Sequence, residues 1–185
     1  MRFASMRNLD ISNGEGVGVS LFIQGCDRHC FNCFNSETWD FNGGKEWTEE
    51  TKNKFIKLID RPYINRISVL GGEPLAEQNL DEVLSLIKEI RISFPKKTIW
   101  LYTGFEWNSL MSKICQPTFP DKDFEHIIEI HKKRKEIISL CNIVIDGEYI
   151  DEQRDITLKW RGSSNQRVID VKQSLAQNKI VLYCY

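Results

Sequence analysis

Four short apolar runs, each stopped by a polar or glycine-bearing element, constrain what this chain can fold into. Residues 17–23 run into a cysteine-bearing loop, and 67–70 are stopped by Gly71-Gly72-Glu73-Pro74. Residues 99–102 are stopped by Thr103-Gly104, and 142–145 by Asp146-Gly147. The runs are rich in β-branched and aromatic residues and too short for helices, so they read as strands. Helical patterns lie between them. Glu49–Ile59 carries Phe55, Ile56, Leu58 and Ile59 behind Thr48, a good N-cap residue. Over 79–94, Leu80, Val83, Leu84, Ile87, Ile90 and Phe94 recur at three- and four-residue steps, and Pro95 closes the segment. A longer, more charged helical region covers 123–140, and 179–183 reads as a final strand.

Strands alternating with helices argue for parallel βα units. Ligands of such folds sit beyond the carboxyl ends of the strands, so the four polar stops are expected to share one rim. At 185 residues the chain falls short of the roughly 250 typical of a full eightfold barrel. The expectation is a single α/β domain over 1–185, an incomplete, open parallel β/α barrel.

Net charge is −1, so no broad basic field suggests nucleic-acid binding. The one basic cluster, His131-Lys132-Lys133-Arg134-Lys135, reads as a solvated helix face. The first residues hold no signal-peptide stretch, and no run approaches a membrane-spanning length. These features lead to an expectation of the cytoplasm, where thiols stay reduced and clustered cysteines are metal ligands more often than disulfides.

Cys26, Cys30 and Cys33 fall within eight residues, spaced C-x3-C-x2-C. Three thiolates on one loop can grip one object. A four-iron cluster held by three of them keeps one iron without a protein ligand, and an open position marks catalytic rather than structural metal sites. The spacing alone also admits a zinc site, with His29 or a distant cysteine as fourth ligand. Cys115, Cys141 and Cys184 are dispersed and read as core or surface thiols.

Several segments, in order along most of the chain, carry a resemblance. They are Asn13-Gly14-Glu15-Gly16, the cysteine loop followed by Asn35-Ser36-Glu37-Thr38-Trp39, the segments around Gly71-Gly72-Glu73-Pro74, Thr103-Gly104-Phe105 and Asp146-Gly147, and Trp160-Arg161-Gly162-Ser163-Ser164-Asn165-Gln166-Arg167. The chain resembles the radical S-adenosylmethionine enzymes, and among them the activases of anaerobic ribonucleoside-triphosphate reductase; the run over 160–167 narrows it to these. The resemblance implies the radical S-adenosylmethionine type of open barrel, with one 4Fe-4S cluster held by Cys26, Cys30 and Cys33 as metal ligands and catalytic centre. It further implies S-adenosylmethionine chelated to the open iron and cleaved reductively, and a glycyl radical left on the partner reductase. A flavodoxin or ferredoxin would supply the electron, and a homodimer is among the implied assemblies.

For the cofactor, the resemblance points to Asn32, Cys33 and Phe34 on the loop, to Gly71, Gly72 and Glu73 (the last two around the methionine ammonium), and to Thr103, Asp146 and Gly147. By themselves, Thr103 and Asp146 could equally be turn and capping residues. The residues of 160–167 leave open whether they serve cofactor, partner or fold. The rivals are an activase of another glycyl radical enzyme, such as pyruvate formate-lyase, and a zinc-stabilised interaction module without catalysis.

Overall fold

Alternation along the strands separates two faces, because successive side chains of a strand point to opposite sides. In the computed structural model, which describes residues 1–113 and 122–184, this alternation organises the whole molecule. The elements in chain order are β1 (Arg2–Asp10), β2 (Gly18–Gln24), β3 (Lys45–Glu46), α1 (Glu49–Ile59), β4 (Arg66–Gly71), α2 (Glu77–Ser93), β5 (Thr98–Tyr102), α3 (Trp107–Met111), α4 (Lys122–Leu140), β6 (Ile143–Asp146), β7 (Arg167–Asp170) and α5 (Val171–Gln177). The run Cys115-Gln116-Pro117-Thr118-Phe119-Pro120, which its composition alone reads as a loop, lies outside the described residues.

Val19, Leu21 and Ile23 of β2, Ile67 and Val69 of β4, and Ile99 and Leu101 of β5 pack with the buried stripes of α1, α2 and α4 in one core. Phe55 of α1 and Val83, Ile87 and Ile90 of α2 are wholly buried there. The intervening positions, Ser20, Phe22, Ser68, Leu70, Trp100 and Tyr102, form the other face. Trp100 gathers Ile143, Ile145 and Val168 into a second, smaller cluster on it. Thr48 caps α1 as the sequence suggests, its hydroxyl accepting the N–H of Thr51.

The four expected strands are β2, β4, β5 and β6, and they lie side by side and parallel. The sheet as a whole is mixed. Its order is β3-β1-β2-β4-β5-β6-β7, with β1 and β3 antiparallel at one edge and β7 antiparallel at the other. The expectation of an open sheet is met, since seven strands do not close; the expectation of parallel strands throughout is corrected. The final strand expected over 179–183 is also corrected. Val168 and Ile169 of β7 fill the buried positions beside β6. Residues 179–183 only run past β7, touching it through an isolated bridge between Leu182 and Ile169. No helix of the described residues is long and apolar enough to cross a membrane.

Candidate functional site

The end of β4 sets the site. Gly71, at φ +107°, turns the chain across the end of β2, where the N–H of Gly72 donates to the Ile23 carbonyl and that of Glu73 to the Gly25 carbonyl, each at 2.8 Å. A Cβ on Gly72 would stand 2.3 Å from the Gly25 oxygen, so only glycine lets the two backbones approach this closely. The Glu73 side chain is turned into the protein. Its Oε1 accepts the Leu75 N–H and the Thr103 hydroxyl, and its Oε2 accepts the Gly104 N–H, all at 2.8 Å. Burial pushes its carboxyl above the usual range, against the pull of these donors and of Arg28. Buried Asn79 of α2 donates to the carbonyls of both Gln24 and Glu73, fastening this turn to the end of β2.

The cysteine loop leaves β2 directly beside this turn. Gly25 and Cys26 donate to the carbonyls of Thr38 and Trp39, which returns the loop to its starting point. Within it, His29 and Asn32 hold left-handed backbone conformations at φ 49° and 54°, and the Cys33 N–H donates to the Cys30 carbonyl. The three thiols are free and partly exposed. Burial pushes the Cys26 thiol up to about 11, and burial also raises that of Cys30. His29 lies against the Trp39 indole, ring centroids 4.7 Å apart. Among the described residues no group of three or more His, Cys, Asp and Glu gathers closely enough to hold a single ion.

At the end of β6, Asp146 is fully buried. Its carboxylate receives the Trp107 N–H at the start of α3, at 2.7 Å, and pairs with Arg167 at 2.5 Å. Arg167 belongs to the run over 160–167, whose role the sequence leaves open. Gln166 donates to the Gly147 carbonyl at 2.9 Å and Asn165 to the Glu148 carbonyl at 2.8 Å. Three consecutive side chains thus brace three consecutive residues of the strand end.

These elements surround one cavity of roughly 560 Å³, within the usual range for small-molecule sites. Cys26, Cys30 and Cys33 line it, with Phe34, Gly71, Gly72, Glu73, Thr103 and Gly147. Nine of the eleven sequence-predicted site residues therefore meet at one place. Asn32 and Asp146 do not line it: the Asn32 amide donates to Asp151 at 2.9 Å, and Asp146 is spent behind the strand end. The structure adds Arg28, Tyr102, Tyr149 and Trp160 to the lining. Arg28 pairs with Glu148, and Tyr149 packs on Phe34 at 5.1 Å. The Tyr102 hydroxyl is buried and has no partner among the described residues. Its neighbours on the strand are legible as inward-facing, but nothing in the sequence marks its hydroxyl as unpaired.

Arg7, Ser12 and Asn13 also line the cavity. Asp10 is buried behind them; it accepts the N–H groups of Ser12 and Asn13 and pairs with the fully buried Arg66 at 3.0 Å. Gly14, at φ +134°, leaves room for that arginine, since a Cβ there would stand 2.5 Å from Arg66 Cδ. The motif Asn13-Gly14-Glu15-Gly16 thus closes over a buried ion pair.

Residues 12–169 match the family model of a 4Fe-4S single cluster domain. The chain is 33% identical over 170 residues to the anaerobic ribonucleoside-triphosphate reductase-activating protein of Salmonella typhi, covering 91% of this chain and 97% of that one. The protein of that name from Escherichia coli (strain K12) is 32% identical over the same shares. Its namesake from Enterobacteria phage T4 is 31% identical, over 91% of this chain and 93% of its own. The chain belongs to this family of activating proteins. Its members' single-cluster domain gives the three thiols an object of the right kind, and the donor set fits. Three sulfurs of one loop open onto a cavity that Gly71, Gly72, Gly104 and Gly147 also line, together with Tyr102, whose buried hydroxyl has no partner among the described residues.

Proposed function

We propose that this chain, acting as one domain over 1–185 in the cytoplasm, generates the glycyl radical of an anaerobic ribonucleoside-triphosphate reductase. Cys26, Cys30 and Cys33 hold one 4Fe-4S cluster, and S-adenosylmethionine occupies the cavity beside them. One observation carries this reading. In a member of this family, three thiols from one loop open onto the same cavity as the glycine-bearing ends of β4, β5 and β6. The open seven-stranded sheet is read as the partial barrel of radical S-adenosylmethionine enzymes. When bound, the cluster and S-adenosylmethionine supply one-electron cleavage of a carbon–sulfur bond, and with it removal of a hydrogen atom from the target glycine Cα.

The residues divide the remaining work. Gly71 and Gly72 present bare backbone, to which recognition of the methionine ammonium is assigned. Glu73, with both oxygens engaged, holds that turn rather than reaching the ligand. Thr103 joins the turn to β5, and Asp146 fixes the backbone from which Gly147 faces the cavity. Phe34, packed on Tyr149, offers an apolar face suited to the adenine. Asn32, tied to Asp151, acts through the shape of the loop. The electron donor is assigned to the flavodoxin or ferredoxin type, and the assembly to a homodimer meeting its reductase.

The test is anaerobic incubation of the reconstituted protein with a class III reductase, a reductant and S-adenosylmethionine. A glycyl doublet in electron spin resonance is the expected result. A brown, iron- and sulfide-bearing protein that yields no doublet with any such reductase would overturn the target while leaving the cluster in place.

A further inference from the structure

The braced end of β6 reaches the cysteine loop through one ion pair. Glu148, whose carbonyl is held by Asn165, binds Arg28 through its carboxylate at 2.5 Å. Arg28 stands midway between Cys26 and Cys30. Its guanidinium lies 3.9 Å over the Phe105 ring, whose ring also carries Arg134 at 4.1 Å. Gly104 leaves just enough room for the arginine stem, since a Cβ there would stand 3.2 Å from Arg28 Cδ. The Arg28 side chain is only 22% exposed, yet it lines the same cavity as the three thiols.

A guanidinium keeps its charge at any working pH, and this one is fixed in place by a carboxylate and an aromatic face. A charge that lines the same cavity as a redox centre and is partly withdrawn from water is less screened than one in solvent. An added electron makes a 4Fe-4S cluster more negative, so a nearby cation favours the reduced form and a nearby anion opposes it.

Resting on the assignment of Cys26, Cys30 and Cys33 as cluster ligands, we propose that Arg28 is a positioning residue that sets the cluster's reduction potential. The Arg28 guanidinium raises the potential, and the Glu148 carboxylate that holds it lowers the potential. The pair thus has two separable effects. As a clamp it fastens the loop, and breaking it from either side loosens the loop alike. As charge, its two halves act with opposite sign.

The experiment is an anaerobic spectroelectrochemical titration of the full reconstituted chain, with iron and sulfide content measured, on wild type, Arg28→Gln, Arg28→Lys and Glu148→Gln. At an applied potential equal to the wild-type midpoint, the reduced-to-oxidised ratio is expected to fall severalfold in Arg28→Gln and to rise severalfold in Glu148→Gln. Arg28→Lys, which keeps the charge, is expected close to wild type. Shifts of the same sign in Arg28→Gln and Glu148→Gln, or no shift in either, would reduce the pair to a clamp and overturn the inference. Where Arg28→Gln fails to hold a cluster, Glu148→Gln decides: a raised ratio supports the assignment, and an unchanged or lowered one ends it. A wild-type chain that takes up no 4Fe-4S cluster removes the cysteine assignment itself, and the inference with it.

Discussion

The carboxylate of Glu73 accepts the hydroxyl of Thr103 at 2.8 Å, and through this bond the end of β4 is tied to the end of β5. Leu75 and Gly104 donate to the same carboxylate, so three donors converge on one buried acceptor. Glu73→Gln replaces one oxygen by an NH2 that faces a donor. A buried donor left without its acceptor costs about 1–3 kcal/mol, and this loss is expected in equilibrium urea unfolding of the variant. Unchanged stability would show that the carboxylate is not the tie between the two strand ends.

The thiols divide into two groups. Serine at Cys26, Cys30 or Cys33 is expected to abolish the brown colour and most of the bound iron and sulfide of the anaerobically reconstituted protein. Serine at half-buried Cys184 is expected to leave the iron content at the wild-type level. Cys141 is buried and donates to the Ile137 carbonyl, so Cys141→Ala is expected to cost about 1 kcal/mol of stability without loss of iron. Iron and sulfide assays read each case, and loss of the cluster on changing Cys141 or Cys184 would contradict the three-ligand assignment.

Gly72→Ala places a methyl where the Gly25 oxygen stands, 2.3 Å away. Neither backbone can yield without disturbing the two hydrogen bonds that join the turn to β2. Overpacking of this kind costs about 1–3 kcal/mol. Because Gly25 precedes Cys26, the affinity for S-adenosylmethionine is also expected to fall, measured by calorimetry on the reconstituted protein. Wild-type affinity and stability together would refute the close approach.

Asp10 carries a pH signature. Burial alone would raise its carboxyl, but the Asn13 N–H, the Arg66 guanidinium and the Asn13 side chain outweigh it and bring the value down from 3.8 to about 2. On acidification the unfolded chain therefore takes up this proton first. The group's contribution is whole above about pH 4 and is lost as pH falls toward about 2, a change of about 2 kcal/mol. Asp10→Asn removes that dependence, and it also lowers stability near neutral pH by about 3–5 kcal/mol, because Arg66 is left buried without its counter-charge. Urea unfolding near neutrality and at about pH 2.5 compares the two proteins; equal acid sensitivity would exclude Asp10 as its source.

Elements with a strong internal pattern were the legible ones. The buried runs of β2, β4, β5 and β6 and the stripes of α1 and α2 declare themselves, because their burial is written in adjacent residues. β1 is harder to see: Arg2–Asp10 is a bulged strand near the edge, with polar residues on both faces and no apolar run. β7 is four residues long, and the more apolar stretch at 179–183 competes with it for the same reading. At the site, glycines and cysteines were legible because their spacing is local. The duties of Asp146 and Glu73 were not, since their partners Arg167, Thr103 and Gly104 come from distant segments. Arg28 sits between Cys26 and Cys30 at a position the cysteine spacing leaves unspecified, where only contact with Glu148, 120 positions later, gives it meaning.

A sheet that stops at β3 on one side and β7 on the other has a practical outcome for a macromolecular target. With the cavity at the strand ends and lined by loops, a target loop needs to reach only that rim, with both of its ends still anchored in their own folded body. The residue to be modified can then sit in the middle of a long polypeptide, and the activase can let go afterwards without unfolding it.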